Sequence, residues 1–353
     1  MLFQIYIGIK GWPIPNIVKF NYINKTIYLT MQNKAKELKF EIFKNYYKHK
    51  ILYTSVVFTI LLILIITSFF IEKIKNKNKD NEIKICLCVI GKKENLYIKE
   101  YVNHYKHLGY NHIFLYDNND INSNERFSTI LKNEINNGFV TIIDYVGFRG
   151  KSGNAQREAY YDCYKNNNRK YDWLSFFDLD EYLILKQKNE TIHQLLSNER
   201  YKNCFNIKIN WLVFGAEKEV IYYENKPLNI RFKKPLYDSY SNRHIKSTVR
   251  GKLKNYWKKW DNPHSSLSRY RACSSSGKFI DNKTPFIVPP DYKYALIKHY
   301  YTKSFEEFCN KLKRGWTDDT DQKALIIQLI NDNKNNKQKF NIITKTFNLT
   351  NFY

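Results

Sequence analysis

The stretch Trp173-Leu174-Ser175-Phe176-Phe177-Asp178-Leu179-Asp180-Glu181-Tyr182 decides the fold of this chain. Its first residues are mostly apolar and fit a strand buried on both faces, as in a parallel sheet covered by helices. Three carboxylates follow at the point where the strand leaves the sheet. Ligands of open α/β sheets bind outside the carboxyl ends of the strands, so this stretch predicts an α/β domain with a site at Asp178 and Asp180.

Asp178 and Asp180 point the same way in an extended chain, because side chains alternate with period two. Two carboxylates on one side suit Mg²⁺ or Mn²⁺, which proteins usually bind through one or two carboxylates together with substrate phosphates. The alternative is a solvated acidic loop that caps the next helix, since a single Asp-x-Asp often arises by chance. The rest of the chain favours the metal-binding interpretation.

The run from Ile51 to Ile71 contains no charged residue. At about 1.5 Å per residue, a helix of this length covers the roughly 30 Å of a bilayer core. A secretory signal peptide has a shorter apolar core followed by a small-residue cleavage site, and no such site follows Ile71. The sequence therefore predicts one transmembrane helix over 51–71 and a single-pass membrane protein.

The flanks of this run predict its orientation. More lysines lie between residues 34 and 50 than between 73 and 79. The positive-inside rule therefore favours a cytosolic segment 1–50, followed after the membrane by a charged stem at 72–82. The catalytic domain would then be lumenal, as in the Golgi or ER, or extracytoplasmic. Met31 opens a short basic stretch, and we expect it to be the start of translation, with residues 1–30 untranslated.

The net charge of +25 at first sight indicates a nucleic-acid binder. Lys, Asn, Ile and Tyr are over-used together, however, and the basic residues are spread rather than clustered. We therefore attribute the charge to composition and expect no nucleic-acid partner, although attraction to anionic membrane surfaces or phosphorylated ligands is compatible with it. The six cysteines all follow the membrane segment, and their spacing predicts no zinc site.

Apolar strands alternate with helical patterns from residue 83 onward. Strands are predicted at 83–90, 112–116 and 139–145 and up to Asp178, with helices at 94–108, 125–137 and 154–166 between them. This alternation predicts βαβ units and a parallel sheet. The second strand ends at Asp117, which would contact a base or ribose or would form an Asx-turn. The sequence argues against dinucleotide and P-loop folds, because their glycine-rich motifs are missing.

Four segments resemble glycosyltransferase family 92 and its family 2-like relatives. They read CVIGKKEN at 88–95, EYVNHYKHLG at 100–109, LYDNN at 115–119 and FFDLDEYL at 176–183. The resemblance covers roughly residues 83–315, and the ordered set is more specific than any single motif. It implies a GT-A fold, a nucleotide-sugar donor, a glycan acceptor and a divalent cation, Mn²⁺ or Mg²⁺, and it favours inversion of the sugar's configuration.

Carried over residue by residue, the resemblance assigns donor binding to Asp117 and Asp178 and metal binding to Asp178 and Asp180. Glu181-Tyr182 departs from the Glu-Phe that the family usually has there. His299 lies near the end of a strand far along the chain, where GT-A enzymes often place a third metal ligand. Its alternative is an ordinary surface or core histidine. A ligand role requires the ring to lie within a few ångströms of the Asp180 carboxylate.

Two basic residues in the second half are candidates for the donor's diphosphate. Lys246 belongs to the basic block 242–252, and Arg314 ends a helix that begins near Ser304. Arginine and lysine suit phosphate oxygens, although basic loops are more often merely solvated. Trp211, near the end of a strand at 204–213, would stack on a sugar face or belong to the core.

An inverting transfer needs a base that deprotonates the acceptor hydroxyl. The candidate catalytic bases are Glu217, after the strand that carries Trp211, and Asp318 or Asp319, after Trp316.

The chain is thus predicted to be a membrane-anchored, metal-dependent glycosyltransferase. Residues 83–190 would form the nucleotide-sugar-binding half, 191–330 the acceptor-binding half and 331–353 a polar tail. The alternative is a catalytically inactive GT-A protein that binds glycans at a membrane. A lectin would have no need for both carboxylates, which argues against that alternative.

Overall fold

The computed structural model describes residues 25–80, 83–146, 148, 154–215, 219–223, 226–253, 264, 270–281, 283–314 and 322–349. The chain divides into two compact units, residues 1–81 and residues 82–353. The predicted bases Glu217, Asp318 and Asp319 lie outside the described residues.

The first unit contains one long helix, α1, Lys25–Asp80. Its segment Leu29–Phe70 is long and apolar enough to cross a membrane, and none of its apolar window is buried. Side chains such as Leu61 and Ile65 are more than half exposed, unlike those of a core helix. The predicted span at 51–71 lies within α1. The helix α1 continues from this span through most of the predicted stem at 72–82, as far as Asp80.

The second unit is an α/β domain built on a mixed sheet, which has ten strands within the described residues. In chain order they are β1 Ile85–Gly91, β2 His112–Asp117, β3 Val140–Asp144, β4 Trp173–Phe176, β5 Glu181–Leu185, β6 Asn206–Val213, β7 Ile245–Arg250, β8 Ala272–Cys273, β9 Phe279–Ile280 and β10 Ala295–His299.

The strands lie in the order β3-β2-β1-β4-β7-β6-β10-β5, with β8 beside β6 and β9 beside β8. The first four are parallel to one another, as the βαβ pattern predicts. Beyond β4 the sheet is mixed, because β7 is antiparallel to both of its neighbours and β5 is antiparallel to β10. The predicted α/β class is confirmed. All pairs in the first half of the sheet are parallel, and the second half combines antiparallel pairs with the parallel pairs β6–β10 and β6–β8.

The helices of this unit flank the sheet. They are α2 Ile98–His107, α3 Phe127–Ile130, α4 Lys132–Asn136, α5 Ala155–Asn167, α6 Ile192–Leu196, α7 Leu228–Arg231, α8 Phe305–Arg314, α9 Gln322–Asn333 and α10 Lys337–Phe347. The single helix predicted at 125–137 is two short helices, α3 and α4. The predicted polar tail contains α10, which packs against α8 and buries Ile343 completely.

Both faces of the sheet are covered at β1 and β4, which explains why these two strands are almost continuously apolar. Alternate residues of β1 enter two separate buried clusters, Ile85, Leu87 and Val89 on one face and Cys86 and Cys88 on the other. The first cluster includes the buried tyrosines of α2, and the second includes those of α5. This two-sided core holds the carboxyl ends of β1 and β4 in a fixed position.

Two disulfides connect these elements. Cys88–Cys163 joins β1 to α5, and Cys204–Cys273 joins the start of the β6 region to β8. Neither pair was predicted from the sequence. Each closes a long loop, and such a crosslink stabilises a fold by about 2–4 kcal/mol.

Candidate active site

A cavity of about 490 Å³ lies where β1 and β4 end. Gly91 of β1, Asp178 and Asp180 after β4, and Trp211 of β6 line it. Gly91 packs so closely that an added Cβ would lie 2.2 Å from Leu179 Cδ1. The cavity is therefore at the edge of the sheet where the sequence predicts a ligand, and a side chain at Gly91 would require the side chains of Leu179 and Phe127 to move.

Asp178 is held by side chains from two neighbouring elements. Its Oδ1 accepts hydrogen bonds from Tyr160 Oη at 2.7 Å and from Gln156 Nε2, both on α5. Lys246 Nζ forms an ion pair with the same oxygen at 2.8 Å. Burial alone would raise the pKa of Asp178, but Lys246 and Tyr160 hold it below its usual value. Asp178 is therefore an ionised carboxylate at the cavity wall.

Lys246 lies on strand β7 rather than in the predicted basic loop. The antiparallel pairing of β7 with β4 sets Ser247 opposite Phe176, so Lys246 reaches the end of β4. Its side chain is fully buried between the carboxylates of Asp178 and Glu181. Its predicted contact with the donor stays a prediction, while its contact with Asp178 is direct.

Asp180 lies between a lysine and a histidine. Its Oδ2 is 2.7 Å from Lys311 Nζ on α8, and its Oδ1 is 3.6 Å from His299 Nε2 on β10. Burial would raise the pKa of Asp180, but Lys311 and His299 hold it well below its usual value. The carboxylate is thus ionised. Its partner Lys311 was not predicted from the sequence, because no motif surrounds this lysine.

Strand pairing brings His299 to Asp180. β10 pairs with β5 so that His299 lies opposite Glu181, and the Tyr300 N–H donates to the Asp180 carbonyl at 2.9 Å. The ring therefore lies where a third ligand is expected. Burial lowers the pKa of His299, which favours the neutral imidazole that binds metals. Its role as a ligand stays a prediction.

Glu181 belongs to the site although sequence reasoning assigned it no role. Its carboxylate is fully buried, and its Oε2 accepts a hydrogen bond from the Asp178 N–H at 2.9 Å. Burial raises the pKa of Glu181 well above its usual value. Glu181 therefore fixes the backbone of the loop that carries Asp178. The only sequence feature that pointed to Glu181 was its position directly after Asp180.

Arg314 ends α8 and lines the cavity. Its Nη1 donates to Glu94 Oε1 at 2.8 Å and to the carbonyl of Lys92. Lys303 Nζ pairs with the other Glu94 oxygen at 2.6 Å. Because Lys92 and Glu94 directly follow β1, this network attaches α8 to the loop after β1. The donor-binding role of Arg314 stays a prediction.

Asp117 lies at the same edge of the sheet, but its carboxylate is turned into its own loop. Its Oδ1 accepts from the Asn119 N–H at 3.1 Å and from Asn119 Nδ2 at 2.8 Å. Its Oδ2 accepts from the Phe127 N–H at 3.3 Å. This is the Asx-turn arrangement that the sequence left as an alternative. A donor contact by Asp117 stays a prediction.

Trp211 forms an aromatic wall of the cavity with three histidines. Its ring centroid lies 4.1 Å from that of His299 and 5.1 Å from that of His264, and it stacks on His244 at 4.9 Å. Trp211 is 8% exposed, and its Nε1 has no hydrogen-bond partner among the described residues. The residue is thus largely buried and also lines the cavity, and its stacking on a sugar stays a prediction.

The residues present can hold a divalent cation only with help from a substrate. Across the described part of the chain, no three His, Cys, Asp or Glu side chains converge closely enough to bind a metal alone. Asp180 and His299 do converge, with one carboxylate oxygen facing one imidazole nitrogen. Mn²⁺ and Mg²⁺ accept such a mixed set when phosphate oxygens and water complete it. The donor set therefore fits the implied ion.

Comparison with known proteins identifies the family of this sequence. The model of glycosyltransferase family 92 matches residues 81–337, more than half of the chain. No match was found among curated proteins.

Three solved structures are distantly similar in fold. TarS from S. aureus has 13% identity and a TM-score of 0.33, over 75% of this chain and 43% of that one. GalNAc-T7, solved with UDP, GalNAc and Mn²⁺, has 11% identity and a TM-score of 0.32, over 63% and 44%. The mannosyltransferase PcManGT from Pyrobaculum calidifontis, in complex with GDP-Man and Mn²⁺, has 10% identity and a TM-score of 0.33, over 76% and 75%. The chain thus spans less than half the length of the first two.

Proposed function

Since the chain belongs to glycosyltransferase family 92 and is a glycosyltransferase, we propose that it transfers a sugar from a nucleotide-sugar donor to a glycan acceptor in the cavity beside Asp178 and Asp180. The observation that carries this proposal is the approach of His299 to Asp180 at the cavity wall. Asp180 lies between β4 and β5 and His299 lies on β10, far apart in the chain, and both line the same cavity.

The cation, Mn²⁺ or Mg²⁺, would be held by Asp180 and His299 with Asp178 nearby. When bound, it would neutralise the negative charge that develops on the departing nucleoside diphosphate. Lys246 and Lys311 hold the pKa values of Asp178 and Asp180 below their usual value, so a cation would meet ionised carboxylates that it shares with these two ammonium groups.

The remaining charges of this edge would orient the donor. Arg314 and Lys311 both line the cavity and both reach it from α8. A guanidinium and an ammonium there would bind diphosphate oxygens by charge-assisted hydrogen bonds. Trp211 also lines the cavity, where it would contact a sugar. We propose inversion of configuration, and the predicted bases Glu217, Asp318 and Asp319 stay predictions.

The same protein is proposed to be a single-pass membrane protein with residues 83–353 in a lumenal or extracytoplasmic space. The apolar, exposed segment of α1 supports the membrane anchor. The two disulfides support the orientation, because such bonds persist in oxidising compartments and are rare in the cytosol. Protease added to sealed membranes should leave this part of the chain intact. Its complete digestion would contradict the orientation.

A donor screen tests the catalytic proposal. The full-length chain in detergent is incubated with a panel of uridine and guanosine sugar nucleotides, with Mn²⁺, Mg²⁺ or a chelator, and with glycans released from glycoproteins as acceptors. We expect release of nucleoside diphosphate and a sugar-extended glycan for one donor, and loss of both with the chelator. Full activity in excess chelator would contradict the metal. Glycan binding without turnover of any donor would favour the inactive, lectin-like alternative.

A further inference from the structure

His244 lies on the same cavity wall as Trp211, directly before β7. Its Nδ1 is 3.0 Å from the Ser241 carbonyl oxygen. A carbonyl oxygen can only accept, so Nδ1 carries the hydrogen in this bond. In the neutral ring the other nitrogen, Nε2, then has its lone pair available. The hydrogen bond thus selects the tautomer that can take a proton through Nε2.

The ring of His244 is fixed in place by its surroundings. It stacks on Trp211 with 23° between the planes, and Phe286 contacts it edge-on at a centroid distance of 4.8 Å. Its backbone N–H donates to the Ser241 carbonyl, and its backbone carbonyl accepts from the backbone N–H of Trp211. A base that is held in one orientation needs no rearrangement when it accepts a proton.

The charged and titratable groups around His244 favour its neutral form. They are Arg243 beside it in the chain, Lys246 on β7, His299 on β10, and His264, whose ring lies 5.5 Å away. Burial is the largest influence, and together with Arg243, His299 and Lys246 it lowers the pKa of His244. The Ser241 hydrogen bond acts in the opposite direction and is outweighed. His244 is therefore unprotonated near neutral pH.

We propose that His244 is the general base of the transfer, a catalytic residue acting through Nε2, in place of the predicted Glu217, Asp318 and Asp319. It takes the proton of the acceptor hydroxyl while that oxygen forms a bond to the anomeric carbon of the donor sugar. The bond between this carbon and the phosphate oxygen breaks, and its electron pair leaves with the nucleoside diphosphate. The inference rests on the proposed function and names the group that carries its proton transfer.

The indole of Trp211 supports this assignment independently. Its Nε1 is a buried donor without a hydrogen-bond partner among the described residues, in the wall that also carries His244. A buried donor of this kind costs about 1–3 kcal/mol when it is left unpaired, so a ligand oxygen there would be favoured. An acceptor oxygen that reached this N–H would lie near the ring of His244, since the two rings are stacked.

The test compares His244→Asn with the full-length wild type, using the donor that the screen selects and glycans released from glycoproteins. Asparagine keeps an N–H near the position of Nδ1 for the Ser241 carbonyl but has no basic nitrogen. We expect kcat to fall about 10²- to 10⁴-fold, the usual range for a lost general base, with an unchanged KM for the donor. His107→Asn is the matched control, because His107 Nδ1 also contacts a backbone carbonyl, that of Asn103, outside the cavity. It should keep wild-type kcat.

A second variant separates a base from a structural residue. In His244→Ala, added imidazole should restore part of the lost kcat, since it replaces the missing proton acceptor. Thermal unfolding of each variant checks the fold. A wild-type kcat in His244→Asn, or a loss in His244→Ala that imidazole does not restore, would overturn the base assignment while the proposed function stands. A wild type that turns over no donor would overturn both.

Discussion

Two strand ends at the same edge of the sheet carry aspartates, and they differ in what surrounds those aspartates. The carboxylate of Asp117, at the end of β2, accepts hydrogen bonds from N–H groups of Asn119 and Phe127, which are close in the chain. Asp178 and Asp180, after β4, contact side chains from distant elements and line the cavity. The local sequence is similar at both strand ends. The contacts of each aspartate decide that Asp117 belongs to a turn and that Asp178 and Asp180 belong to a charged site.

The largest effect should come from Asp180→Asn, with Asp117→Asn as its counterpart at the other strand end. Loss of the charge at Asp180 removes the proposed metal ligand, so we expect kcat to fall at least about 10²- to 10³-fold. The measurement is steady-state transfer with the screened donor. Asp117→Asn should stay close to wild type in kcat. Equal losses in the two variants would erase the functional difference between the strand ends.

Asp180→Asn also leaves the Lys311 ammonium, which is 18% exposed, without its partner. Breaking a buried ion pair in this way costs about 3–5 kcal/mol, which could by itself reduce activity. Adding Lys311→Met should restore the free energy of unfolding but not kcat. Recovery of kcat in the double variant would show that instability, rather than lost chemistry, caused the defect.

The second prediction concerns the partner of Asp180 on β10. His299→Gln removes an imidazole but keeps a polar group of similar length. We expect the Mn²⁺ concentration for half-maximal activity to rise about 10- to 100-fold, the range seen when a metal site loses a supporting group. The measurement is a Mn²⁺ titration at saturating donor. A titration curve that matches the wild type would remove His299 from the metal site.

The third prediction tests the turn role of Asp117. In Asp117→Asn an N–H₂ group replaces one carboxylate oxygen. This group is a donor, so it would face the N–H donors of Asn119 or Phe127 without forming a hydrogen bond. We expect unfolding free energy to fall by about 1–3 kcal/mol, the cost of unsatisfied buried groups, measured by denaturant unfolding. The KM for the donor should not change. A raised KM with unaltered stability would instead support the donor-binding role that the family resemblance implies.

The smallest expected effect concerns His104, which supports the strand that follows Asp180. His104 Nε2 donates to the Leu183 carbonyl of β5 at 2.8 Å. Burial, helped by Lys298 and His107, lowers its pKa to about 4. The unfolded chain has a value of about 6.5, so this group's contribution to stability is complete above about pH 6.5 and is lost as the pH falls towards 4.

His104→Gln, which keeps an N–H for Leu183, should remove this pH dependence. Between about pH 6 and pH 4, wild-type unfolding free energy should fall more steeply than that of the variant, by up to about 1.4 kcal/mol per pH unit. Denaturant unfolding at several pH values measures the difference. Parallel pH curves would show that His104 is not the buried neutral histidine that the fold requires.

Much of this protein is determined by short-range sequence patterns. The apolar strand before Asp178 and the spacing of Asp178 and Asp180 identify the sheet edge that holds the cavity. The uncharged run at 51–71 identifies the segment of α1 that can cross a membrane. Such features can be predicted because hydrophobic periodicity and length act within one element, where side-chain direction follows from backbone geometry alone.

Other parts of the site were decided by the tertiary structure alone. Lys246 and Lys311 belong to β7 and α8, and no local pattern shows that one pairs with Asp178 and the other with Asp180. The stacking of His244 on Trp211 likewise depends on how β6 and β7 pair. Buried charges need partners, but which partner arrives is set by strand order and register, and these are properties of the whole sheet.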